Sequence, residues 1–458
     1  MKVKTPVYKK QRLTAEVVDL SYQGNGVVKV DHYPIFVPNT LPGEKVEIVV
    51  TKVTRNFAWG KLTKLIEKSP DRVSLDDMRY LQTGIAPLGN LKYEAQLRFK
   101  QHQIQELLEK AHLDNLQVAP TMGMEKPYGY RNKAQVPVKL VKGRLETGFY
   151  KRGSHDLVPI ENFLIQDPVI DQTITTVRDI LRKYRIQPYD EESGRGCLRT
   201  IMVRRGYYSH EVMVVLISKT KQIPHVDDIT REIVAQVPEL KSLVHNVNSK
   251  RTNKLLGDVN HTLWGQPTIN DQLLGIDFTI SPLSFYQVNP QQTERLYQTA
   301  IENAGLDGSQ TVIDAYCGIG TISLAVAKHA KKVYGVEIVP AAIQDAKKNA
   351  QKNGITNIEF VVGKAEEQMA KWQAAGLKPD VLIVDPPRKG LGEELIEATG
   401  QMKPAKVIYV SCNPATLVRD IQRFMEQGYH VTKPIQPVDQ FPQTTHVESV
   451  TVLERTGE

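Results

Sequence analysis

The first 64 residues alternate apolar and polar positions in five short runs, TAEVVDL, GVVKV, PIFVP, KVEIVVTKV and FAWGKLTKL, separated by GNG, VDHYP and LPGE. A period of two bounded by turn residues predicts strands, and five short strands predict a small closed or half-closed barrel of the oligonucleotide-binding type. A polar linker over 65–90 follows. In YEAQLRFKQHQIQELLEKAHL the positions Leu97, Ile104, Leu107, Leu108 and Ala111 recur at helical spacing. Strand-like runs such as AQVPVKLV, HEVMVVLIS and LVHNVN, with one or two helices among them, predict an α+β central region over 91–285. TERLYQTAIENAGL is a helix with Gly305 as its stop. From 311 onward TVIDAY, KVYGVEI, IEFVVG, VLIVDPP and KVIYVS alternate with helices, the signature of a doubly wound parallel sheet in an α/β domain over 286–458. The last two strand runs, in HVTKPIQPV and HVESVTVLE, have no helix between them, so the final strand must insert antiparallel.

Charge adds a partner class. Lys and Arg number 59 against 51 Asp and Glu, and the excess is concentrated: residues 1–64 carry eleven basic and five acidic groups, and 126–152 carry eight and one. Basic charge confined to two stretches favours a polyanion over a general solubility surplus. The second stretch interleaves Tyr128, Tyr130, Phe149 and Tyr150 with Arg131, Lys133, Lys139, Lys142, Arg144, Lys151 and Arg152, cations for phosphates beside rings for unstacked bases. In the barrel, Tyr22, Phe57 and Trp59 offer the same combination. No signal-peptide core and no run of about 18 apolar residues is present, so the expected location is the cytoplasm, with no membrane contact. A monomer is the expected state. Cys197, Cys317 and Cys412 are too far apart for a Cys-x-x-Cys site and odd in number, which argues against a disulfide framework or a cysteine-ligated metal.

Seven strands with the last reversed resemble the class I methyltransferase layout. Asp314-Ala-Tyr316-Cys-Gly318-Ile-Gly320 is a strand running into a glycine loop and a helix, and Glu337 ends the next strand, placed to accept from ribose hydroxyls. A dinucleotide is the rival ligand. Asp314 before the loop would repel its phosphates, whereas S-adenosylmethionine is a sulfonium cation bearing an ammonium group. Asp385-Pro-Pro-Arg388 resembles the Asn/Asp-Pro-Pro-aromatic motif of amino-group methyltransferases. Arginine replaces the ring that would sandwich an amine, so Asp385 borders the methyl donor and Arg388 offers a phosphate fork. Tyr409-Val-Ser-Cys412-Asn-Pro sets a cysteine at the same rim. Thiolate addition at C6 of uracil makes C5 nucleophilic enough to attack a sulfonium methyl. Cys317, inside the glycine loop, fits packing better. The inserted strand starts at that rim, so Glu448 is the expected base for the C5 proton and His446 its competitor.

SPLSFYQVNP, DAYCGIGTISLA, DVLIVDPPRKG, YVSCNPATLVRD and QFPQTTHVESVTVLER, with YEAQLRFKQ and YGYRNKAQVPV, resemble the signature set of bacterial RNA uracil-C5 methyltransferases. GNGVVKVDHYPIFVPNTLPGEKVEIVVTK resembles a TRAM domain, an RNA-binding module. The resemblance implies S-adenosylmethionine held by Gln287, Tyr316, Glu337 and Asp385, with Asp314, Gly318 and Gly320 in the loop, Cys412 as nucleophile and Glu448 as base; contact with the flipped uracil is the alternative for Gln287. Tyr130, Arg131, Asn132, Lys133 and Arg388 are the residues expected to touch RNA. Ribosomal-RNA members often carry a [4Fe–4S] cluster on cysteines that SPDRVSLDDMRYLQTGIAPLGN lacks, so no cluster is expected. The TRAM module favours 23S ribosomal RNA as the partner. The alternatives are a tRNA uracil-C5 methyltransferase, an N-methyltransferase acting on adenine or glutamine, and a non-catalytic RNA chaperone.

Overall fold

The computed structural model describes residues 5–250 and 254–455. Near the N-terminus, the strands Arg12–Glu16, Asp19–Leu20, Gly26–Val30, Tyr33–Val37, Lys45–Val53 and Ala58–Glu67 form one antiparallel-rich sheet. The run predicted as a single first strand is broken in two, one piece pairing with Lys45–Val53 and the other with Gly26–Val30, which joins the ends of the sheet into a barrel. Ile35, Val37, Ile48, Val50 and Ala58 fill it. Phe36 and Trp59 are register partners on its outside, with ring centroids 5.6 Å apart, and Phe57 lies 5.6 Å from Phe36. These two rings are therefore half-buried in a trio, and only Tyr22 of the three aromatics singled out above stands clear, 73% exposed.

Residues 65–90 are not a free linker. Tyr80 and Ala86 enter the central core, and Leu88 and Leu91 join Leu20 and Leu41 of the barrel against Ala95 and Phe99. The helix Tyr93–Lys110 also departs from the expected grouping. Its Ile104 and Leu108 are buried among Leu382, Tyr409, Leu417 and Phe424, so it shares a core with the C-terminal sheet rather than the central one.

The central sheet runs Val259–Gly265, Leu240–Val247, Val212–Ser218, Leu198–Arg205, Lys133–Val141, Arg144–Tyr150, Leu157–Pro159. Alternation splits its strands between two cores: Ile201 and Val203 face the helices Pro168–Lys183 and Val226–Gln236, while Met202 packs towards Phe278, Tyr286 and Leu296.

Across the C-terminal sheet the order is Ile358–Val362, Lys332–Glu337, Thr311–Ala315, Val381–Val384, Lys406–Ser411, Glu448–Arg455, Tyr429–Val431. The first five are parallel to one another and Glu448–Arg455 inserts antiparallel between its neighbours, as its missing crossover helix requires. The parallel strands are apolar on both faces because helices cover both. Their carboxyl ends, where a doubly wound sheet leaves a crevice, therefore share one rim with the start of the inserted strand. No helix among the described residues is long and apolar enough to cross a membrane.

Candidate active site

Cys412 occupies the single residue between the end of Lys406–Ser411 and the cap of helix Pro414–Glu426. The Asn413 side chain accepts from Ala415 N at 3.2 Å, Ser411 Oγ accepts from Asn413 N at 3.2 Å, and Pro414 starts the helix. This tight turn leaves the thiol half-buried at the rim, with Sγ 3.9 Å from Pro386 O. The Asn413 amide donates to Arg388 O at 2.8 Å, tying the Asp385-Pro-Pro-Arg388 loop to the turn.

Glu448 comes to the same place from the opposite direction. Ser411 pairs with Ser449 in antiparallel register, so the residues one step beyond, Cys412 and Glu448, flank the end of the ladder. Glu448 is buried, and Pro437 and Val438 pair with the strand on its other side. Burial, with the Asp385 charge adding to it, pushes the Glu448 carboxyl well above the usual range, against the opposing pull of Arg388. Burial likewise raises Asp385 to about 7. The Cys412 thiol is pushed up to about 12, by burial first and then by Glu448 and Asp385, while Arg388 acts to lower it. This arrangement resists charge: burial and the neighbouring carboxylates disfavour the anionic form of both thiol and carboxyl, and Arg388 opposes them.

At the next strand end but one, Tyr316 adopts φ 71°, a left-handed conformation, and the Tyr316 and Cys317 amides both donate to Val336 O at 3.0 Å. Gly318 and Gly320 continue with φ 55° and 86°; a Cβ on Gly320 would stand 3.0 Å from Phe360 Cζ. Glu337 braces the loop, accepting from Gly318 N at 3.3 Å and Val339 N at 3.0 Å. Asp314 accepts from Ser323 Oγ through one oxygen; the other is buried without a partner, and burial raises the carboxyl to about 7. A buried unpartnered carboxylate oxygen beside a loop that a backbone can approach closely fits a ligand offering N–H donors or positive charge. Cys317 is buried under Gly335 and its thiol is raised well above the ordinary value, a packed side chain.

Gln287 lies across the crevice on the 281–289 segment, its amide 3.4 Å from the Tyr297 hydroxyl. Asn132 reinforces that segment, donating from its backbone to Val288 O at 2.9 Å and from its side chain to Gln287 O at 3.2 Å. Asn132 and Tyr130 therefore do not offer free groups to RNA. Both are buried, and the Tyr130 hydroxyl donates to Pro442 O at 2.9 Å; they alternate with half-buried Arg131 and Lys133 in the stretch leading into the strand Lys133–Val141. Phe149 similarly packs on Phe163, leaving Tyr128 and Tyr150 as the exposed rings of the basic hairpin. Arg131 and Lys133 are half-buried, and Arg388 is exposed. His446 is exposed at the rim, held neutral with its pKa down at about 4 by partial desolvation and then by Arg388, Lys100 and Arg131.

The polar scaffold behind residues 439–446 was absent from the sequence reading. Lys100 and Asp439, both fully buried, form an ion pair; Tyr93 OH donates to Asp439 at 2.7 Å and Lys100 to Phe441 O at 3.0 Å. Gln96 exchanges hydrogen bonds with Gln443, and Gln103 donates to Thr445 O at 3.1 Å. The signal lay in the helix stripe Gln96, Lys100, Ile104, Leu108, where two polar residues occupy positions at the spacing of a buried face. Phe285, two residues before Gln287, stands 70% exposed.

A family profile described as tRNA (Uracil-5-)-methyltransferase matches residues 92–456, and a TRAM domain profile matches 6–63. The chain belongs to the tRNA (uracil-5-)-methyltransferase family. An uncharacterized RNA methyltransferase of Lactiplantibacillus plantarum is 62% identical over 99% of this chain and 100% of its own. One of Enterococcus faecalis is 49% identical over 98% of each. Among solved structures, the Pyrococcus abyssi tRNA (uracil-54, C5)-methyltransferase in complex with S-adenosyl-L-homocysteine superposes with a TM-score of 0.78 at 28% identity, covering 96% of this chain and 99% of that one. As a member of this uracil-5-methyltransferase family, the protein is an S-adenosylmethionine-dependent RNA methyltransferase with an N-terminal TRAM domain.

Proposed function

We propose that the protein methylates C5 of a uridine in 23S ribosomal RNA, with Cys412 as nucleophile and Glu448 as the C5-proton base. One observation carries the assignment of roles. The Ser411–Ser449 register brings a half-buried thiol and a buried carboxyl together at the rim that also holds Asp385 and the glycine loop.

In this reading S-adenosylmethionine supplies a methyl group on a sulfonium. Asp314, Tyr316, Gly318, Gly320, Glu337, Gln287 and Asp385 would hold it, and the partnerless Asp314 oxygen suits its positive charge. Cys412 gives its proton to solvent, Sγ bonds to uracil C6, and the C5=C6 electron pair moves into the ring carbonyl as an enolate. C5 then attacks the sulfonium methyl, and the methyl–sulfur bond breaks with its electron pair staying on sulfur, leaving S-adenosylhomocysteine. Glu448, ionised, removes the C5 proton, the C5=C6 bond re-forms and the Cys412 thiolate leaves. Because the thiol is half-buried, the uridine must leave its stack, which costs a few kcal/mol and least for a loop base. Arg388, attracting anionic forms of both groups, favours the states in which they react.

The TRAM module supports the ribosomal reading. The nearly full-length similarity to the tRNA enzyme of Pyrococcus abyssi favours a second one, a tRNA uridine. Incubating the protein with 23S ribosomal RNA and with tRNA separately, followed by nucleoside analysis, tests both. Formation of 5-methyluridine in the ribosomal RNA alone is the expected result; 5-methyluridine in tRNA alone selects the second reading, and an N-methylated nucleoside contradicts both.

A further inference from the structure

Lys133 and Arg204 are register partners in adjacent antiparallel strands, Lys133–Val141 and Leu198–Arg205. Like charges placed directly opposite one another destabilise a sheet unless something negative lies between them. Arg204 is 5% exposed. One of its terminal nitrogens donates to Ser284 O at 2.6 Å and is 3.4 Å from Pro282 O, while its Nε is buried with no partner. Arg131 completes the group, and the charges acting on Lys133 are those of Arg204 and Arg131, with no carboxylate among them. Burial and these two arginines hold the Lys133 ammonium down at about 7.

The next residue along the strand shows the contrast. Arg205 points the other way and is saturated by carboxylates, bonding Glu239 at 2.6 Å and Asp167 at 2.9 Å. The chain thus neutralises the arginine that serves packing and leaves the cations of the opposite face unneutralised, at a desolvation cost that an anion would offset.

The cluster also has a definite address. Arg204 and Asn132 are both hydrogen-bonded to the 281–289 segment that carries Gln287, and Arg131 is close enough to His446 to depress its pKa. Its other two members, Arg131 and Lys133, are only partly buried. The cofactor cradle, by contrast, is lined by Asp314, Glu337 and Asp385.

We propose that Arg131, Lys133 and Arg204 form a binding site for one phosphate of the substrate RNA backbone, next to the pocket that receives the target uridine. The site rests on the RNA-methylating reading above and adds Arg204, a buried residue of the central sheet, to the substrate contacts. A tetrahedral anion accepts from several donors at once, and a guanidinium fork with an ammonium opposite it suits that geometry.

The test is equilibrium binding of protein-free 23S ribosomal RNA over a range of salt concentrations, without turnover, for the wild type, K133M, R204M and R204K. Lys133→Met should weaken RNA binding about fivefold to tenfold at low salt and reduce the log–log salt slope by about one, leaving S-adenosylmethionine affinity unchanged. R204M should behave in the same way and R204K should recover most of the slope. Lys133 is only partly buried, so K133M keeps the test decisive if R204M fails to fold. An unchanged slope in K133M overturns the proposal. A loss of S-adenosylmethionine affinity with RNA binding intact also overturns it, assigning the anion to the cofactor carboxylate. Either failure leaves 5-methyluridine formation by the wild type untouched, so it is separable from failure of the methylation chemistry.

Discussion

Ser411 and Ser449 are cross-strand partners, and this one pairing sets Cys412 and Glu448 side by side although they are 36 positions apart in the chain. The pairing exists because the last strand inserts antiparallel, so its beginning meets the ends of its neighbours. A one-residue slip in register would send Glu448 to the opposite face of the sheet.

Replacing Cys412 with Ala should reduce methyl transfer by about 10³-fold or more, since removal of a covalent nucleophile leaves only binding and orientation. Folding should be little affected, because the thiol is half-buried and its polar contact is a long 3.9 Å approach to Pro386 O. Methyl release and thermal unfolding of the variant check the two halves separately.

The pH dependence follows from two raised groups. Cys412 at about 12 and Glu448 well above its ordinary range must both be deprotonated to act, so kcat at saturating RNA should rise with pH through the neutral and mildly alkaline range. Arg388→Ala removes the cation that lowers both, so the rising limb should move to higher pH, and Arg388→Lys should move it most of the way back. A profile that stays in place in R388A contradicts this assignment.

RNA affinity should show the opposite sign. Burial first, and then Arg204 and Arg131, hold the Lys133 ammonium down at about 7, and a bound phosphate favours its charged form. Binding then takes up a proton, and affinity should fall as pH rises from 6 to 8, whereas K133R should bind with little pH dependence. Calorimetry in buffers of different ionisation enthalpy measures the proton directly.

The buried Lys100–Asp439 pair ties helix Tyr93–Lys110 to the segment leading to Glu448. Lys100→Met strands a carboxylate at 0% exposure and should cost about 3–5 kcal/mol of stability in chemical denaturation. The double variant with Asp439→Asn should recover part of that loss, because the uncompensated charge is gone.

Much of this could be read from the chain. The α/β alternation from 311 onward, the reversed last strand and the rim containing Cys412 and Glu448 follow from local periodicity and from the length a crossover needs. Non-local packing was not legible. The helix 93–110 looks like part of the central region because it precedes it, and only the burial of Ile104 and Leu108 against the C-terminal strands reveals its partner. Tyr130 reads as a stacking ring beside Arg131 until its hydroxyl is found on Pro442 O. Arg204 and Arg205 are adjacent and identical in kind, and the sequence alone does not tell which of them lacks a carboxylate.

The most direct measurement uses RNA carrying 5-fluorouridine at the modified position. Fluorine cannot leave as a cation, so the last step is blocked and a methylated protein–RNA adduct, stable to denaturation, should accumulate, with mass spectrometry of its peptides placing the bond on Cys412 Sγ. An adduct attached elsewhere, or wild-type turnover of natural RNA by C412A, would contradict the account.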